Sequence, residues 1–183
     1  FGNRKVLVPF FMPDLTREDK SVMMNALSSP LLTDGPQLRK FEDKFAKFVG
    51  SKYAVGVSNC TAALHLALKS LGLKKGDEVI VPDITFVATA NAVIMAGGTP
   101  VFVDVSKNDM NISIESIKKS ITAKTKVILP VHLAGKICKM NEIKKIARTN
   151  NLHLIEDCAH AIGTKFNKKH AGTFGDAGCF SFY

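Results

Sequence analysis

A pair of carboxylates closes the apolar run Leu152-His-Leu-Ile-Glu-Asp157. Leu152, Leu154 and Ile155 read as a strand buried inside a sheet, so Glu156 and Asp157 stand where the strand emerges. A carboxylate there costs free energy unless a cation or hydrogen-bond donors meet it, and in open α/β sheets ligands bind beyond the carboxyl ends of the strands. Asp157 is therefore the first candidate for binding chemistry; the plainer alternative is that it caps a following helix. Ser58-Asn59-Cys60-Thr61 offers complementary chemistry. Small polar residues lead straight into a helical pattern, where free backbone amides attract anions and the hydroxyls add donors. A simple cap by Ser58 or Asn59 is the alternative. Phe86, opening another helix, could stack on a flat ring or belong to the core. His132 and His160 follow strands on the same side. A zinc site from His132, Asp157 and His160 is conceivable, but no His-x-x-x-His or Cys-x-x-Cys pair accompanies them. Neither a phosphate-binding Gly-x-x-x-x-Gly-Lys loop nor the dinucleotide Gly-x-Gly-x-x-Gly fingerprint is present.

For these residues to meet, the strands must run parallel, so that every strand-to-helix loop opens on one edge. The chain supplies that alternation. Strands are predicted at residues 53–57, 78–81, 100–105, 126–131, 152–156 and 178–183, and helices at 61–71, 86–96, 113–121 and 141–149. Repeated βα units with short connections argue for an α/β fold: a mainly parallel sheet, right-handed crossovers and helices on both faces. Ahead of them, Leu38, Phe41, Phe45 and Phe48 recur at helical spacing over residues 37–49 and stop at Gly50. Residues 17–27 form a shorter helical pattern with Val22, Met23, Ala26 and Leu27 on one stripe, set among Pro9, Pro13 and Pro30. The expected plan is an N-terminal arm with a docking helix over residues 1–30, and part of a large α/β domain over 31–183.

The 183 residues, 46% of them hydrophobic, suffice for one sizeable core. The chain opens on Phe1 and stops inside a predicted strand, which leads us to expect an N-terminal fragment of a longer protein. A net charge of +9 could suggest nucleic acid, but the lysines lie on helix faces such as 117–119 and 143–145 without interleaved aromatics. Solvated faces, or an anionic small-molecule partner, are the better reading. No apolar run approaches the roughly 20 residues a membrane helix needs, so a cytoplasmic location is expected. Cys60, Cys138, Cys158 and Cys179 show no paired ligand spacing and read as reduced thiols.

Six ordered blocks carry a resemblance: Val57-Ser-Asn-Cys-Thr-Ala-Ala-Leu-His-Leu-Ala-Leu68, Gly76-Asp-Glu-Val-Ile-Val-Pro-Asp-Ile-Thr-Phe-Val-Ala-Thr-Ala-Asn91, Pro100-Val-Phe-Val-Asp-Val105, Pro130-Val-His-Leu-Ala-Gly135, Ile155-Glu-Asp-Cys-Ala-His160 and Gly175-Asp-Ala-Gly-Cys-Phe-Ser-Phe-Tyr183. From about Pro9 onward the sequence resembles the DegT/DnrJ/EryC1/StrS sugar aminotransferases, which use pyridoxal 5′-phosphate (PLP) and have the aspartate-aminotransferase fold of type I PLP enzymes. The resemblance implies that Asp157 pairs with the pyridine nitrogen and keeps it protonated. It implies that Cys60 and Thr61 hold the cofactor phosphate with help from Ser181, that Phe86 stacks on the ring, and that His160 lies near the phenolic oxygen. Many members have Ser-Gly-Thr where this chain has Ser58-Asn-Cys-Thr61. The lysine that binds the cofactor covalently would fall just beyond Tyr183, and Lys165, Lys168 and Lys169 belong to a polar turn. The implied reaction moves an amino group from an amino acid, expected to be glutamate, to a keto group of a nucleotide-linked sugar. Relatives with histidine in place of that lysine are sugar 3-dehydratases, and a non-catalytic homologue is the further alternative. A homodimer completing each site from its partner is implied as well.

Overall fold

The computed structural model describes residues 12–183; the part of the expected arm before Met12, Pro9 included, lies outside the described residues. The chain divides into two compact units, one ending at Phe41 and one running from Glu42 to Tyr183. The first carries helix α1 (Arg17–Leu27), which begins at a capping box. There the Asp19 amide donates to Thr16 Oγ1 at 3.2 Å and the Thr16 amide donates to the Asp19 carboxylate at 2.8 Å. Val22, Met23 and Leu27 of this helix are all exposed. Helix α2 (Pro36–Val49) ends at Gly50, whose φ of 76° is the left-handed stop a glycine supplies.

The larger unit is built on a sheet whose strands are buried on both faces. Val79 and Val81, Val127 and Leu129, and Ile155 turn to one side, where they pack with Leu64, Leu68, Ala92 and Val93. Ile80, Ile128 and Leu154 turn to the other, against Ile117, Met140, Ile143 and Ile146. This period of two inside apolar runs is what a strand sandwiched between helix layers requires. The strands are β1 (Glu78–Pro82), β2 (Thr99–Val103), β3 (Thr125–Ile128), β4 (His153–Cys158) and, after a small hairpin of β5 (Lys165–Phe166) and β6 (Lys169–His170), β7 (Ala177–Phe180). Their order is β2-β1-β3-β4-β7, parallel throughout. Helices α3 (Cys60–Ser70) and α4 (Ala88–Ala96) cover the first face, and α5 (Ile114–Ser120) and α6 (Met140–Thr149) the second. The direction of winding reverses between β1 and β3, and such a switch point opens a crevice at the carboxyl edge.

Several boundaries differ from the sequence expectation. Residues 53–57 form no strand: they join no ladder among the described residues, and Tyr53 and Val55 are 74% and 79% exposed. An alternating β pattern states a preference, whereas a strand also needs a neighbour to receive its hydrogen bonds. The ladders of β2, β3 and β7 stop at Val103, Ile128 and Phe180, short of the predicted ends. Beyond β3 the backbone stays extended as far as an isolated bridge between Val131 and Asp157. The polar turn holding Lys165, Lys168 and Lys169 is a two-residue hairpin, with Asn167 and Lys168 both at positive φ (49° and 65°) as a primed turn demands. Among the described residues no helix is long and apolar enough to cross a membrane.

Candidate active site

The alternation along β4 sorts its two carboxylates. Asp157 is in phase with Ile155 and faces the α3 and α4 layer, while Glu156 is in phase with Leu154 and faces away from it. Asp157 is 4% exposed. The Thr89 hydroxyl donates to its Oδ2 at 2.8 Å, and the Ala159 amide donates to its Oδ1 at 3.1 Å. Turns, not a helix, follow β4, so Asp157 is no helix cap; its bond to an amide two residues on is an Asx turn. Its backbone is pinned as well, the amide donating to Pro130 O at 2.9 Å and the carbonyl accepting from the His132 amide at 3.0 Å. Burial holds the Asp157 carboxyl above its ordinary value of 3.8, outweighing the Ala159 and Thr89 hydrogen bonds and the nearby His160 and His132 imidazoles. Among the described residues no salt bridge reaches it.

The other predicted residues gather around this edge from four directions. Helix α3 starts one residue after Asn59, whose side chain accepts the Ala62 amide at 2.9 Å and so caps the helix. That leaves the first-turn amides of Cys60 and Thr61 without an acceptor in their own helix. Cys60 itself is buried in the core cluster with Leu64 and Cys179, and burial beside Asp157 pushes its thiol up to about 12. A cysteine in the helical first turn therefore takes a packing role that a glycine could not fill, and its backbone is the part left for a ligand. Phe86 stands just ahead of α4 and is 72% exposed, so it is not a core residue. β7 pairs Cys179 opposite Asp157, which brings Ser181 past the end of the strand to the same edge. Ser181 Oγ accepts the Tyr183 amide at 3.2 Å.

His160 is exposed, and its Nδ1 accepts the Ala134 amide at 3.3 Å. That bond places the ring proton of the neutral imidazole on Nε2, which is left as a donor. Ala134 reaches this position with φ 50°, ψ 29°, inside the short 3-10 turn Leu133–Gly135.

His132 does not join Asp157 and His160. Its Nδ1 accepts the Cys138 amide at 3.1 Å, so its Nε2 proton goes to Glu156 Oε2 at 3.0 Å. Glu156, fully buried, also accepts the Gly172 amide at 2.9 Å, the Phe174 amide at 2.7 Å and the Gly175 amide at 2.8 Å. His132, Glu156 and Cys158 lie within a metal-sized radius of one another, yet the imidazole and the carboxylate are already committed to these partners. The group acts as a buried strut between β4 and the loop that feeds β7. Glu156 is visible in the sequence only as the neighbour of Asp157, with no role attached, and Thr89 is not singled out there at all. Two adjacent carboxylates on a strand give no sign of which face each takes until the helices are placed, and the hydroxyl of Thr89 meets its partner 68 residues away.

A parallel sheet with a carboxylate buried at its carboxyl edge, a capped helix start beside it and an exposed aromatic ahead of the next helix define a domain of the PLP-dependent aminotransferase fold. More narrowly, the chain belongs to the DegT/DnrJ/EryC1/StrS aminotransferase family, which matches residues 13–183. It is 45% identical over 177 residues to a GDP-perosamine synthase of Escherichia coli O157:H7, covering 96% of this chain and 49% of that protein. Among solved structures it is similar to an aminotransferase from Psychrobacter cryohalolentis, with a TM-score of 0.90, 42% identity, and coverage of 95% of this chain and 45% of the other. Helicobacter pylori PseC, an aminotransferase involved in the biosynthesis of pseudoaminic acid, matches with a TM-score of 0.89 and 35% identity, over 93% and 46% of the two chains. The chain thus spans about half the length of the relatives it matches.

Proposed function

We propose that this chain supplies most of the cofactor-binding face of a PLP-dependent aminotransferase acting on a nucleotide-linked sugar. The residues present fit the cofactor. A buried carboxylate without a salt bridge suits a pyridinium, and two amides at a helix start without an acceptor suit a phosphate, both absences being among the described residues. When bound, the cofactor supplies an electron-accepting ring and carries the amino group between donor and acceptor. Asp157 would hold the ring nitrogen in its protonated form. The amides of Cys60 and Thr61, with the Thr61 and Ser181 hydroxyls, would bind the phosphate, and Phe86 would lie against the ring face. His160 would donate from Nε2 toward the phenolic oxygen, its tautomer being set by Ala134. The covalent anchor implied by the family resemblance is not among residues 1–183, so proton transfer at the amino-bearing carbon is assigned to none of them. A second copy of the chain would complete each site, with the exposed stripe of α1 turned toward it.

The burial of Asp157 at the carboxyl edge, between two hydrogen-bond donors, is the observation that carries this reading. The test is to incubate the whole protein with PLP, glutamate and a nucleotide-linked keto-sugar, and to follow 2-oxoglutarate and the sugar product by mass spectrometry. Equal amounts of 2-oxoglutarate and amino-sugar support transamination. Loss of water from the sugar without gain of nitrogen would assign the protein to the dehydratases instead.

A further inference from the structure

We propose that Thr85 and Thr89 form a directed hydroxyl relay that positions the Asp157 carboxylate and keeps its bound proton on the cofactor nitrogen; this rests on the pyridoxal phosphate reading above. Thr89 is fully buried in the first turn of α4. A threonine inside a helix commonly turns its hydroxyl back to the carbonyl three or four residues earlier. Thr89 instead places Oγ1 2.8 Å from Asp157 Oδ2 and 2.8 Å from Thr85 Oγ1. An ionised carboxylate can only accept, so the Thr89 proton goes to Asp157 and the Thr89 oxygen takes the Thr85 proton. The order Thr85 to Thr89 to Asp157 follows from that single constraint.

The relay has two effects. With Thr89 on Oδ2 and the Ala159 amide on Oδ1, both oxygens are held and the carboxylate cannot swing about its Cβ–Cγ bond. Donors to the charged form also make the carboxylate a weaker base, so a proton shared with a ring nitrogen stays on the nitrogen. Among the described residues no other side chain donates to Asp157: the Cys60, Cys158 and Cys179 thiols, raised by burial, place no negative charge beside it, His132 is bonded through both nitrogens to Cys138 and Glu156, and His160 accepts the Ala134 amide. Phe86 lies between the two threonines in sequence, so one short segment sets both the ring-face residue and the carboxylate anchor.

Pyridoxamine phosphate labelled with nitrogen-15 in the ring tests this without turnover, because its chemical shift reports protonation of that nitrogen when bound to the whole protein. The wild type should show a pyridinium and Asp157→Asn a neutral ring. Thr89→Val, isosteric but without the hydroxyl, should move the signal part-way to neutral and weaken binding about tenfold, as expected for loss of one hydrogen bond to a charged group. Thr89→Ser should restore both. Thr85→Val, at a less buried position, breaks the relay at its outer end and should produce a smaller shift in the same direction. Wild-type shift and affinity in Thr89→Val, while Asp157→Asn is displaced, would overturn the relay alone. If Thr89→Val does not fold, a wild-type signal in Thr85→Val overturns it equally. A pyridinium signal that persists in Asp157→Asn would instead overturn the pyridine-pairing assignment beneath it.

Discussion

Burial sets the Asp157 carboxyl above its ordinary 3.8, and this fixes the sign of a pH effect in the cofactor-free protein. A carboxyl whose pKa is raised by folding binds its proton more tightly in the native state, so the charged form weakens the fold at higher pH. That penalty is relieved as pH falls through the raised pKa and is gone below 3.8. Asp157→Asn should therefore raise the melting temperature of the cofactor-free protein near neutral pH, and the advantage should shrink as the medium is acidified. A difference independent of pH would contradict the linkage. With the cofactor, the same variant should still bind it yet lose most turnover, at least about a hundredfold if the pyridinium governs the ring's electron demand. Residues of this kind were legible in sequence when chemistry and position coincided: Asp157 announces itself as a charge at the end of an apolar run. Thr89 does not, because nothing about a threonine in a helix start names a carboxylate 68 residues away.

At the scale of elements, the site depends on β7 being held against β4 through its glycines and through Glu156. A Cβ on Gly178 would lie 2.3 Å from the Gly172 Cα, and a Cβ on Gly175 would lie 2.2 Å from the Leu154 carbonyl oxygen. Backbone stands in the way at both positions, so Gly178→Ala should push β7 outward, costing about 2 kcal/mol or more and weakening pyridoxamine phosphate binding through displaced Ser181. Glu156→Gln presents an NH₂ where the carboxylate accepts backbone amides, and should destabilise the protein by about 3 kcal/mol in urea unfolding. A wild-type unfolding midpoint in Glu156→Gln would show that the strut is dispensable. The core strands were readable because strands buried on both faces are short Val and Ile runs between turn signals, as in β1 and β3. Residues 53–57 carry the same kind of signal and form no ladder among the described residues, since pairing is a property of two segments and the pattern belongs to one.

Across the whole molecule, both helix layers exclude water from the sheet, and the cysteines follow from that. All four are buried with their thiols raised, Cys60 to about 12. In the folded protein these four thiols should therefore react slowly with a thiol reagent at mildly alkaline pH and become reactive on unfolding, as peptide mapping of the labelled sites would show; rapid labelling of them in the native state would contradict the packing. The parallel α/β plan gathers its loops on one edge, and the proposed function depends most on one contact there, that proposed between Asp157 and the ring nitrogen. The direct measurement is the affinity of the whole protein, wild type and Asp157→Asn, for pyridoxamine phosphate and for its analogue with CH in place of the ring nitrogen. The wild type should prefer pyridoxamine phosphate by at least about tenfold, as a charge-assisted hydrogen bond in a buried site requires, and Asp157→Asn should lose the preference. Equal affinities in the wild type would contradict the contact.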